Sequence, residues 1–177
     1  GDTFTALEML GKFGVDTWFN LGDRDFATHI RRSQLLTEGK TLSEVTSELN
    51  QSLGVFHSVV PMSNDPVKTV LSTDEGELPM QRYFVGRRAE PKVFEVHYVG
   101  VENATAAPGL LDSLAKCGML VLCPSNPYLS LGPILALPGV RRLMRDFSGK
   151  KVCVSPIVGR DAVNGPAGKI MAELGKQ

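Results

Sequence analysis

The chain has 177 residues, with 19 Lys and Arg against 19 Asp and Glu and a formal net charge of zero. That length supports one domain with a real core, and the cancelled charge leaves no global field to draw nucleic acid or an anionic membrane surface. No secretion signal is read at the start, and the longest weakly polar stretch, residues 129–140, holds two prolines and is too short to span a bilayer.

Phe4, Leu7, Leu10 and Phe13 open the chain at helical spacing. Val15, Trp18, Phe19 and Leu21 then read as a short buried strand. Gly22, Asp23, Arg24, Asp25, Thr28, His29, Arg31 and Arg32 follow at once. A helix over 26–37 capped by Asp25 places Asp25, His29 and Arg32 at i, i+4 and i+7 on one face. A solvated helix face carries charge in the same way. Thr41 and Glu44 have capping-box spacing, and Leu42, Val45, Leu49 and Leu53 form one apolar stripe that Gly54 ends. Residues 55–62 read as a strand, and Val67, Thr69 and Leu71 alternate as another. Residues 81–85 fit strand or helix, and Gly86-Arg87-Arg88 reads as loop.

From Val93 the pattern sharpens. A strand is predicted over 93–101, a helix over 109–116 opened by Pro108, and a continuous apolar strand over 119–123. Pro124-Ser125-Asn126-Pro127 turns the chain. Ser130 reads as the cap of a helix through Ile134, Leu135 and Leu137, then come a strand over 151–155 and a helix over 167–174. This alternation predicts a single α/β domain over residues 1–177 with a largely parallel sheet. Three strand ends, at 22–25, 124–127 and 155–159, then share one edge of the sheet, where α/β proteins bind ligands. The edge suits an anion: two prolines fix Ser125 and Asn126, and the helix start at Ser130 turns its positive dipole end to the crevice. The plainer alternative is a tight turn followed by an ordinary cap.

Other motifs fail. Gly165-Pro166-Ala167-Gly168-Lys169 lacks the earlier glycine of a phosphate loop, since Val163 stands there, and no Gly-x-Ser-x-Gly elbow occurs. His57 and His97 sit in strand-like alternation and read as structural. Any of the basic clusters at Arg31/Arg32, Arg82/Arg87/Arg88, Arg141/Arg142/Arg145 and Lys150/Lys151 could meet a phosphate, though most basic pairs only solvate a surface. Cys117, Cys123 and Cys153 form no metal or disulfide pattern and are expected as buried, reduced thiols of a cytosolic protein. The chain opens on a helical pattern without methionine and stops at Gly175-Lys176-Gln177 just after another, so a middle segment of a longer protein is expected.

The run Leu21-Gly22-Asp23-Arg24-Asp25-x-Ala27-Thr28-His29-x-x-Arg32 resembles the signature of the 2-phospho-L-lactate transferase family (CofD, called FbiA in mycobacteria). Further stretches agree in order: Pro61-Met62-Ser63-Asn64-Asp65, Val99-Gly100-Val101-Glu102, Pro124-Ser125-Asn126-Pro127 with Ser130-x-Gly132-x-Ile134, Leu137-Pro138-Gly139, Ser155-Pro156-Ile157-Val158-Gly159 and Gly165-x-Ala167. The resemblance implies a Rossmann-like three-layer α/β domain, incomplete at both ends. It implies transfer of a phospho-acid group (phospholactate, phosphoenolpyruvate or phosphoglycerate) from a guanosine diphosphate conjugate to the ribityl-chain hydroxyl of the deazaflavin Fo. GMP is released, in coenzyme F-420 biosynthesis.

Magnesium as cofactor and a cytoplasmic homodimer come with the same resemblance. So do Fo and the guanosine diphosphate-linked donor as partners, with no nucleic acid or membrane. It makes Asp23 and Asp25 the catalytic candidates, as magnesium ligands or as groups orienting the Fo hydroxyl. Asn20, Arg24 and His29 become Fo-binding, and Ser125, Asn126, Ser130 and Ser155 donor- or phosphate-binding. The family's Gly-rich phosphate loop, an aspartate-bearing segment that helps bind Fo, and a C-terminal portion are not found in these residues, so little activity is expected of the chain alone. Arg82 stands where relatives carry an acidic residue. A non-catalytic nucleotide-sugar-binding regulator of the same superfamily is the alternative, and an α/β segment with merely solvated charges a third. The Gly-Asp-Arg-Asp-x-Ala-Thr-His run favours the transferase.

Overall fold

The computed structural model describes residues 1–159, 161–163 and 165–175; Lys176 and Gln177 lie outside the described residues. Contacts divide the chain into two compact units, Gly1–Pro61 and Met62–Gln177, each taken by itself.

The first unit is helical: α1 (Thr5–Lys12), α2 (Asp23–Thr37) and α3 (Leu42–Ser52). α1 ends because Gly14 takes φ +80°, which lets the Val15 N–H return to the Leu10 carbonyl. α3 begins in the predicted capping box, with the Glu44 N–H donating to Thr41 Oγ1 at 3.3 Å and the Thr41 N–H donating to the Glu44 carboxylate at 2.7 Å. Leu35 of α2 and Val45 of α3 are fully buried, and Arg31 and Lys40 both donate to the Glu48 carboxylate on α3.

Three expectations change here. Residues 15–21 form no strand: the Asp16 carboxylate accepts the Trp18 N–H at 3.3 Å and bends the chain locally, and Trp18 meets Phe19 edge-on with ring centroids 5.4 Å apart. Residues 55–62 form none either, and Phe56 is 96% exposed. The unit has no strand among its described residues, so neither apolar run finds a ladder to pair with, and a lone strand is not stable. α2 also starts at Asp23 with Gly22 as its cap, so Asp25 lies in the first turn rather than capping it.

In the second unit β1 (Lys68–Thr73), β2 (Gly76–Pro79) and β3 (Val93–Val99) make an antiparallel sheet ordered β2-β1-β3, with Leu71 opposite Leu78 on one side and Val96 on the other. Then come α4 (Leu110–Lys116), β4 (Met119–Leu122), α5 (Gly132–Ala136), α6 (Val140–Asp146), β5 (Lys150–Cys153), the short pair β6 (Ile157–Val158) and β7 (Asp161–Ala162), and α7 (Ala167–Glu173). π-helical turns occupy Arg82–Gly86, resolving the ambiguous 81–85 stretch as helical, and Pro127–Leu131.

The α/β class is the one the sequence predicts. The sheet is not the largely parallel one expected: among the described residues β4–β5 pair in parallel, with a crossover through α5 and α6 as a parallel pair requires, while β1–β2, β1–β3 and β6–β7 pair antiparallel. β1 and β2 are antiparallel because a tight turn closed by Gly76 at φ +98° joins them. One core cluster (Leu71, Tyr83, Ala89, Val93, Leu129, Ile170) ties the three-stranded sheet to both π-helical turns and α7. A second gathers Leu137 and Val140 with Leu110, Leu111 and Met144 around α4 and α6. The cysteines are free, but Cys123 and Cys153 are exposed and Cys117 half-buried, contrary to the expected buried thiols. The reason is local: β4–β5 is two-stranded, so its end positions have no neighbouring strand over them.

Candidate functional site

The first candidate group lies at the start of α2. Gly22 is buried against Asp2: a Cβ on Gly22 would come within 2.0 Å of the Asp2 carboxylate, which also accepts the Arg24 N–H at 3.4 Å. Asp23 turns back to α1. Its carboxylate accepts the Thr3 hydroxyl at 2.5 Å, the Thr5 N–H at 3.2 Å and the Ala6 N–H at 3.0 Å, so it caps the first turn of α1. Those bonds, from the Thr3 hydroxyl first and the Ala6 N–H next, hold its carboxyl below the usual aspartate range.

Asn20, Arg24 and Asp25 are exposed and His29 is half-buried. The expected α2 face is real: the Arg32 guanidinium meets His29 Nδ1. Since arginine only donates, Nδ1 must accept, and the neutral ring carries its proton on Nε2. Asp23 and Asp25 do not suit a shared magnesium ion. Residues two apart on a helix point to different sides, and the lone pairs of Asp23 are committed to α1. Among the described residues no group of three or more His, Cys, Asp or Glu is arranged to hold a metal.

The second group lies at the carboxyl edge of β4–β5. The register sets Leu122 beside Cys153, and the Val154 N–H donates to the Leu122 carbonyl at 3.0 Å. The loops carrying Ser125–Asn126 and Ser155 therefore leave the same edge, as the sequence predicts for these two. The third expected strand end, at 22–25, follows no strand.

Asn126, not Ser130, caps the helical segment that follows. Its Oδ1 accepts the Tyr128 N–H at 2.9 Å and the Leu129 N–H at 3.0 Å. Pro127, with φ preset and no N–H to satisfy, starts the helical turn one residue later. Ser130 is exposed inside that turn, its N–H donating to the Asn126 carbonyl at 3.1 Å. The order Asn-Pro is a cap signature that could have been read from the sequence.

Two backbone donors fix which end of the Asn126 amide is oxygen, so the NH₂ end points away. Nδ2 is buried and has no hydrogen-bond partner among the described residues. A buried amide donor left unpaired costs about 1–3 kcal/mol, which makes it a donor waiting for an acceptor. The loop beneath is held firmly. Tyr98 of β3 donates to the Tyr128 carbonyl at 2.7 Å, and a Cβ on Gly132 would fall 1.8 Å from Tyr98 Oη. Burial pushes the Tyr98 hydroxyl above the ordinary tyrosine range. Ser155 Oγ accepts the Ile157 N–H at 3.1 Å and serves its own turn.

Residues 2–177 match the family model described as 2-phospho-L-lactate transferase CofD. The chain is 41% identical over 174 residues to the 2-phospho-L-lactate transferase of Methanosarcina mazei, covering 98% of this chain and 57% of that protein. It is also 41% identical over 179 residues to the phosphoenolpyruvate transferase of Streptomyces coelicolor, covering 98% of this chain and 56% of the relative. The chain thus spans little more than half the length of these relatives. A solved structure of a UPF0052-family protein from Bacillus halodurans superposes with a TM-score of 0.60 at 18% identity, covering 76% of this chain and 41% of that one. At that identity the likeness establishes the fold. No helix among the described residues is long and apolar enough to cross a membrane.

Proposed function

Because the chain belongs to the 2-phospho-L-lactate transferase (CofD) family, we propose that it carries the central part of a transferase of coenzyme F-420 biosynthesis. The substrates are the deazaflavin Fo and a guanosine diphosphate-linked phospho-acid. The Fo hydroxyl attacks the phosphorus that bears the acid, the bond from that phosphorus to the bridging oxygen breaks, and GMP leaves with the bridging oxygen. The hydroxyl proton passes to a base, and the product is a phosphodiester of Fo. The acid is phospholactate, phosphoenolpyruvate or phosphoglycerate; relatives named for the first two stand at the same 41% identity.

The observation that carries the reading is the unpartnered Asn126 amide at the β4–β5 carboxyl edge. A diphosphate offers it an acceptor oxygen, and a donor aimed where charge gathers on the leaving phosphate stabilises the transition state. Ser125 and Ser130 lie in the same loop and complete the donor side with Ser155. On the Fo side we assign Asn20, Arg24 and His29, with the proton on His29 Nε2 free to donate. Asp25 is the carboxylate left to orient the Fo hydroxyl, since Asp23 caps α1. No step is assigned to a magnesium ion held between Asp23 and Asp25. The enzyme acts as a cytoplasmic homodimer in this proposal. The 177 residues alone turn over little, because they span 57% of a relative's length.

Titrating the chain with Fo and following deazaflavin fluorescence tests the acceptor half. Saturable binding, weakened by Arg24→Ala, is expected; binding of nucleotide sugars without any response to Fo would point to the regulator instead.

A further inference from the structure

The Arg82/Arg87/Arg88 cluster singled out in the sequence has no part in the proposed reaction, yet its backbone is unusual. Arg88 and Ala89 adopt φ of +51° and +56°, the positive-φ non-glycine residues among those described. Each such residue costs about 1 kcal/mol more than glycine would. The turn has an evident job: the Ala89 N–H returns to the Tyr83 carbonyl at 2.9 Å and the Arg87 N–H to Arg82, closing the π-helical turn as a left-handed cap does. Glycine at position 88 would do that job with less strain. What arginine adds there is its side chain.

The segment is also pinned from the core. Tyr83, fully buried, donates its hydroxyl to the Ala89 carbonyl at 3.4 Å, and Lys169 Nζ donates to the Pro91 carbonyl at 2.6 Å and to the Glu173 carboxylate at 3.0 Å. On the solvent side Gly86, Arg87, Arg88 and Glu90 line a concavity of about 350 Å³. Arg87 is paired with Glu75, whereas the Arg88 guanidinium has no hydrogen bond or ion pair among the described residues.

We propose that this loop is a further anion site, in which the Arg88 guanidinium takes a phosphate-class oxyanion. The guanidinium fork matches two oxygens of a tetrahedral phosphate, and a backbone already fixed by Tyr83 and Lys169 spares the ordering cost of binding. The carboxylates of Glu75 and Glu90 repel an extended polyanion, so the site selects a single phosphate group, free or carried as a monoester.

Backbone-amide NMR titrations of the whole chain with inorganic phosphate, at constant ionic strength against chloride, test this. A parallel titration with AMP separates a monoester from free phosphate as the preferred form. In the wild type, saturable shifts are expected at Gly86, Arg87, Arg88, Ala89 and Glu90. Arg142→Ala, which removes an equal charge elsewhere, keeps them. Arg88→Gly, which relieves the left-handed strain and so folds at least as stably, raises the midpoint about tenfold or more, the loss of one charged hydrogen-bonded pair. Arg88→Lys recovers part of the affinity. Shifts that persist unchanged in Arg88→Gly, or that spread evenly over exposed basic residues, overturn the proposal.

Discussion

Asn126 carries two jobs on opposite ends of one amide, and substitution can separate them. Its Oδ1 caps Tyr128 and Leu129 at 2.9 and 3.0 Å, while Nδ2 is buried and unpaired among the described residues. Asn126→Ala loses the cap, which is worth about 1 kcal/mol. Asn126→Ser keeps a capping oxygen and deletes the orphan donor, whose burial costs about 1–3 kcal/mol. The serine variant should therefore be at least as stable as wild type and about 1 kcal/mol more stable than the alanine variant, a difference of about 3 °C in Tm for a chain of this size. Both variants should weaken GDP binding, the serine variant by about tenfold for one lost hydrogen bond. Thermal denaturation read beside GDP titration by calorimetry measures both. A serine variant as unstable as alanine would refute the capping role. Undiminished GDP affinity in a stable serine variant would refute the ligand-facing amide.

Two more expectations concern the scaffold. Asp23 holds a lowered pKa in the fold, through the Thr3 hydroxyl and the Ala6 N–H. Its contribution is thus present above the unfolded value, about 3.9, and is lost as pH falls through the folded one. Circular dichroism of the chain should show α1 loosening in that acid range, and Asp23→Asn should flatten the pH dependence there. Gly132→Ala should destabilise the fold by about 1–3 kcal/mol by overpacking, because the added Cβ would sit 1.8 Å from Tyr98 Oη and 3.1 Å from the Pro127 carbonyl. Chemical denaturation measures it, and an unchanged midpoint would mean that the Tyr98–Tyr128 bond does not hold the loop.

What the sequence revealed follows the range of the forces involved. The Thr41–Glu44 capping box and the β4 and β5 strands are visible because a few neighbouring residues decide them. The runs at 15–21 and 55–62 look equally strand-like, but a strand needs a partner, and alternation says nothing about whether one lies alongside. Asp23 looks catalytic in its motif, and its bonds to Thr3, Thr5 and Ala6 reach 17 to 20 residues back along the chain, beyond any local pattern. In the loop after β4 the sequence puts the helix cap at the wrong residue. α5 does begin at Gly132-Pro133, but it continues the helical turn that Asn126-Pro127 had already started, so Ser130 is left no end to cap. The left-handed Arg88 had no signal, since that position would ordinarily call for glycine.

Turnover decides whether these residues belong to a transferase acting on Fo. These 177 residues, substituted for their counterparts in the Methanosarcina mazei 2-phospho-L-lactate transferase, should be supplied with Fo and each guanosine diphosphate-linked phospho-acid in turn. GMP should be released in equal amount to a phosphodiester of Fo, with release lost in Arg24→Ala. A folded chimera that binds GDP yet forms no Fo product with any of the three acids, while the parent enzyme does, would contradict it.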